Sequence, residues 1–65
     1  MIELQTKYYN LNTGKIVTTI KERVVDGKSR LIYFRWLEND MLDCMPTEHF
    51  KNTFRLYGGM QGSWI

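Results

Sequence analysis

The amino-acid sequence predicts an all-β fold, a strongly bent five-stranded sheet or partly open barrel with one short helical turn near residues 47–53. Three observations carry that expectation. The runs Ile16-Val17-Thr18-Thr19-Ile20 and Leu31-Ile32-Tyr33-Phe34-Arg35-Trp36 are rich in β-branched and aromatic residues, which pack well on a pleated sheet and lose side-chain freedom in a helix. Asp26-Gly27 stands between them, a dipeptide suited to the type I′ turn of a tight hairpin. Then Pro46-Thr47-Glu48, followed by Phe50 and Phe54 four residues apart, stops a strand and starts a turn of helix.

The elements follow in chain order. Asn10-Leu11-Asn12-Thr13-Gly14 gathers turn formers after Tyr8-Tyr9, and Gly14 takes positive φ at no steric cost. A long strand is expected over 15–25, and its return over 29–37. The return strand carries large apolar groups at alternate and adjacent positions, which predicts a strand that is central or covered on both faces. Glu38-Asn39-Asp40 makes the next turn and leads into a short strand over 41–45. Proline pushes Met45 towards extended conformation. Thr47 is placed to cap the helix by accepting the N–H of Phe50, with Glu48 near the positive end of the helix dipole. Phe50 and Phe54 share one helical face, which should plug an open end of the sheet. Phe54-Arg55-Leu56-Tyr57 alternates again and closes the sheet. An SH3-like barrel is the form these short strands and tight turns favour; the alternative is a longer helix across a three-stranded sheet. Residues 1–57 form one β domain, and 58–65 a Gly-rich tail in which Trp64 and Ile65 are costly to leave in water.

Composition narrows the class. A chain of 65 residues with a single cysteine and a single histidine has a small core, no internal disulfide and too few ligands for a structural zinc site. This points to a reducing compartment, with cytoplasm as the default. No segment reads as a signal peptide or reaches the ~20 apolar residues of a membrane span. No metal or cofactor is expected.

The pattern Lys7-Tyr8-Tyr9, Thr13-Gly14-Lys15, Tyr33-Phe34-Arg35 and Met45-Pro46-Thr47-Glu48-His49-Phe50 through Phe54 resembles short, mostly uncharacterised phage and prophage domains. In those families a strand ending in proline leads into a brief helix bearing a phenylalanine. The resemblance covers roughly Lys7 to Tyr57 and implies an SH3-like barrel and a phage context. It implies no activity. The tail after Gly58 has no counterpart in that pattern.

Enzymatic chemistry is the poorest class. Cys44 and His49 lack further ligands or a completed base arrangement, and a free cysteine most often behaves as a small buried hydrophobe. Strand alternation would set Leu42 and Cys44 on one face, with Met41, Asp43 and Met45 on the other. Glu38, Asp40, Asp43 and Glu48 read as a solvated rim rather than a general acid and base pair, and Gly58-Gly59-Met60-Gln61-Gly62 lacks the lysine and helix of a phosphate loop.

Binding readings remain. The first is a non-enzymatic, phage-type module that binds and modulates a host protein through Lys7, Tyr8, Tyr9, Arg35, Tyr57 and Trp64, aromatic residues and arginine being enriched at interface hot spots. The alternative is a nucleic-acid-binding face made of Lys21, Arg23, Arg30, Tyr33 and Arg35, where rings beside phosphate-binding cations suit a single strand. A net charge of +2 keeps that reading open without selecting it. The third is self-assembly through an exposed edge strand or the Trp64 tail, a homo-oligomer relieving the small core.

Overall fold

The computed structural model describes residues 2–57; the tail with Trp64 lies outside them. Its elements are β1 (Lys7–Asn10), β2 (Ile16–Val25), β3 (Ser29–Trp36), β4 (Leu42–Pro46), α1 (Thr47–Thr53) and β5 (Phe54–Leu56). All neighbours are antiparallel, in the spatial order β4-β3-β2-β1-β5. The sheet does not close, and the short helix sits between its two ends in sequence, joining one edge strand to the other.

Local signals in the chain account for the joints. Asp26 and Gly27 both have positive φ, +57° and +73°, as a type I′ turn requires, and the Lys28 N–H donates to the Val25 carbonyl at 3.3 Å. The Asn10 carboxamide oxygen accepts from the N–H groups of Asn12 and Thr13, an Asx arrangement that tightens the β1–β2 turn. Between Thr19 and Lys21 the β2–β3 register shifts by a β-bulge.

One face of the sheet carries the core. Val17, Ile32, Phe34, Phe50 and Phe54 are buried with Ile2 and Tyr8, and Trp36, Met45 and Leu56 pack against them. Phe50 and Phe54 stack at 4.4 Å with their planes 8° apart. Phe34 meets both, at 5.4 and 5.7 Å between centroids, while Tyr8 and Trp36 close the cluster edge-on. The helix packs on the core face through a single ring, Phe50; Phe54, expected on the same helical face, is the extended first residue of β5, and the two rings stack across that joint.

β3 lies inside the sheet, as expected of a central strand, and is covered on one face, since Leu31, Tyr33 and Arg35 have no described element over them. One further expectation is corrected here. Thr47 does not cap the helix: α1 begins after Pro46 with no side-chain cap bond, and the Thr47 hydroxyl donates instead to Glu22 Oε2 at 2.8 Å. The physical reason is position: Pro46 occupies the N-cap site, so Thr47 is already the first helical residue, and its buried hydroxyl is left to donate to Glu22, brought to the core side past the bulge.

Thr19 is the fully buried polar residue of β2. Its hydroxyl donates to the Glu3 carbonyl at 2.7 Å and accepts from the Thr6 N–H at 3.2 Å, tying the N-terminal arm to the sheet. Replacing Thr19 with Val keeps the shape and leaves those groups unsatisfied, so Thr19→Val is expected to lower stability by about 1–3 kcal/mol. Thr19→Ser should retain most of it; urea titration of both variants checks the difference.

Candidate functional surface

Register decides which side chains reach the uncovered face. Cross-strand partners share a face, so Lys7, Thr18, Arg35 and Leu42 form one row across β1 to β4, and Lys21, Tyr33 and Cys44 the next. Arg23, Leu31 and Pro46 form a third. Tyr9 continues the face over β1, paired with Ile16. With strands about 4.8 Å apart, Lys7 and Arg35 lie roughly 10 Å from each other at the backbone.

The rings on this face, Tyr9, Tyr33 and Tyr57, are half-buried. Lys21 Nζ sits 5.6 Å from the centre of the Tyr33 ring, a cation–π distance. Tyr9 and Tyr57 meet edge to face at 6.4 Å, and the Tyr57 N–H donates to the Lys7 carbonyl. Lys7, Lys21, Arg23 and Arg35 are all exposed. A shallow depression of about 380 Å³, lined by Gln5, Thr18, Ile20, Arg35, Trp36, Leu37 and Asp40, opens beside Arg35.

One acid, Asp40, reaches this face. Of the seven Asp and Glu residues, only Glu22 and Asp43 stand in strands, and both pair with core residues, Ile32 and Phe34, hence on the opposite face. The others lie in the N-terminal arm, the turns and α1. Asp40 reaches back from its turn to Arg35, Oδ1 to Nη1 at 3.3 Å. Both side chains are largely exposed, so this pair is worth little and yields readily to a competing anion.

The structure brings together Lys21, Arg23, Tyr33 and Arg35 from the nucleic-acid set and adds Lys7, Tyr9 and Tyr57 from the protein set. It corrects two members. Tyr8 is a core residue, opposite Val17 and edge-on to Phe50 at 5.3 Å; its hydroxyl accepts the Glu3 N–H at 2.9 Å, so no surface is left for a partner. Arg30 shares the face of Ile32 and Phe34 and pairs with Glu22 at 3.8 Å, away from Lys21 and Arg23. Trp64 lies outside the described residues. Arg55 starts opposite Tyr9, yet its guanidinium turns to the carbonyls of Lys51 and Phe54, where a cation complements the helix C-terminus.

Sequence reasoning missed that Lys7 belongs to the basic face; only its pairing with Thr18, itself opposite Arg35, reveals it. Alternation in β4 holds, with Leu42 and Cys44 on the open face and Asp43 and Met45 on the other. Cys44 is exposed, contrary to the usual burial of a free cysteine, because β4 lies at the edge with no described layer above that face. Among the described residues no group of three or more His, Cys, Asp or Glu is placed to hold a metal ion, and no helix is long and apolar enough to cross a membrane.

Exposure of Cys44 has a direct readout. Maleimide labelling of the native protein is expected to proceed at a rate within about tenfold of that in denaturant; a native rate a thousandfold slower would place the thiol inside.

No protein-family model matches this sequence, and searches of curated proteins and of solved structures found no match either.

Proposed function

We propose that this chain is a small, non-enzymatic module of the cytoplasm that binds single-stranded nucleic acid across its open sheet face. One observation supports the reading above all: strand register gathers Lys7, Lys21, Arg23 and Arg35 around Tyr9 and Tyr33 while every acid in a strand points the other way. Phosphates would lie against the four cations, and bases would stack on the tyrosine rings, a combination that tolerates any sequence because every base has a π-face. The phage context implied by the resemblance fits such a module without specifying it.

A host protein held by exposed tyrosines is the weaker fit for this face. Tyr8 is unavailable to any partner, and the other described members of that set, Lys7, Tyr9, Arg35 and Tyr57, coincide with the basic surface.

Fluorescence anisotropy with labelled oligo-dT and oligo-U tests the reading. Binding is expected at low salt, with log affinity falling against log salt at a slope of about −3 for four phosphate contacts to a single strand. Arg23→Ala and Arg35→Ala should each weaken it several-fold, and Tyr33→Ala by about 1–3 kcal/mol. Arg30→Ala, on the opposite face, should leave it unchanged. Absence of binding to both probes at low salt, or an Arg30→Ala defect as large as that of Arg23→Ala, would overturn the proposal.

A further inference from the structure

The free borders of the sheet are unlike one another. Trp36 donates its N–H to the Met41 carbonyl, so by antiparallel alternation Leu42, Cys44 and Pro46 turn their main-chain groups away from β3. That border is blunted. Pro46 has no N–H to offer, and the Cys44 N–H is already taken by Asp43 Oδ1 at 2.7 Å. β5 is only three residues long, a length that itself discourages pairing.

The far half of β2 is different. β1 pairs with it from Ile16 to Thr18, Thr19 is held by Gln5 and Thr6, and the Ile20 carbonyl accepts from Gln5 Nε2 at 3.2 Å. Beyond that point no described residue pairs with the border. The Lys28 N–H bonds the Val25 carbonyl, so Val25, Arg23 and Lys21 face β3, and Glu22 and Val24 present both N–H and C=O outward.

We propose that this border, from Lys21 to Val25, docks an extended acidic segment of a partner protein, which adds as a further strand beside β2. Main-chain hydrogen bonds to Glu22 and Val24 give the affinity, and flanking side chains the selectivity. Lys21 and Arg23 stand on the open face and call for carboxylates beside them. On the other face Val24 is 60% exposed and calls for an apolar neighbour, while Glu22 is drawn inward by Thr47 and Arg30. The matching segment therefore alternates acidic and apolar residues.

A second copy of this chain is disfavoured by its own charges. Antiparallel self-pairing centred on Glu22 sets Lys21 against Arg23 and Glu22 against Glu22. Centring on Arg23 opposes the two arginines, and centring on Val24 opposes Glu22 and Asp26. Like charges directly across a strand pair are destabilising.

The test is titration of the full chain with a capped peptide of alternating Glu and Val, followed by amide NMR. Saturable binding is expected, with the Glu22 and Val24 amide protons shifted and slowed in exchange, and no change at Cys44. The same peptide N-methylated at alternate residues, which keeps its charge and loses its donors on one edge, should bind at least about tenfold more weakly. The double variant Lys21→Glu, Arg23→Glu should lose the acidic peptide and accept one alternating Lys and Val. Equal binding of the N-methylated peptide, no binding up to millimolar concentration, or a dimer in light scattering without peptide each overturns the proposal. None of these readouts depends on nucleic acid, so the two proposals stand or fall separately.

Discussion

Phe34 lies against both Phe50 and Phe54, and the rest of the structure depends on that contact. A sheet of this size has one apolar layer to bury, and burying a phenylalanine contributes about 1.5–3 kcal/mol, with roughly 0.5–1.5 more for each well-placed ring pair. Small domains hold only about 3–5 kcal/mol from their cores. Seating Phe34 beneath the helix therefore settles which face of β3 is inside, and period-two alternation then settles every other strand position. The basic face follows from the core by exclusion: whatever is not needed under α1 points to the open side.

Much of this was legible in the chain because the signals are local. Asp26-Gly27 specifies its turn through backbone preference at two adjacent residues, and Pro46 with the Phe50–Phe54 spacing specifies the strand-to-helix joint in nine. Alternation within β3 pairs Tyr33 with Arg35, and alternation within β4 pairs Leu42 with Cys44; the register between the strands then sets the two pairs on one face. What was not legible depends on partners far apart in sequence. Tyr8 and Tyr9 are adjacent and alike, and only pairing with Val17 and Ile16 sends one inward and the other outward. Arg30 is the exception, since period-two alternation from Tyr33 and Arg35 already sets it on the opposite face with Ile32 and Phe34. Thr47 satisfies a cap pattern, but its hydroxyl finds Glu22, a residue 25 positions away.

Net charge also proved a poor guide to the surface. A formal +2 averages over a molecule whose acids occupy the N-terminal arm, turns, helix and the core-side rim while four exposed cations share one face. Screening at physiological salt confines electrostatic influence to about 8 Å, so an approaching anion experiences the local arrangement rather than the sum. Moderate overall charge and a strongly one-signed patch are compatible whenever register, rather than composition, distributes the side chains.

The β-bulge after Thr19 carries this point furthest. Ahead of it the odd-numbered residues Val17 and Thr19 point into the core; past it the even-numbered Glu22 does, and Lys21 and Arg23 are released to the outside. The one inserted residue, Ile20, thus works as a parity switch. Were the strand to run on through Ile20 without the bulge, alternation would turn the far hairpin inside out, presenting carboxylate where it now presents guanidinium and amine. Deleting Ile20 would instead leave Lys21 opposite Tyr33 and every facing unchanged, so the two faces are kept apart by how one residue is accommodated rather than by composition.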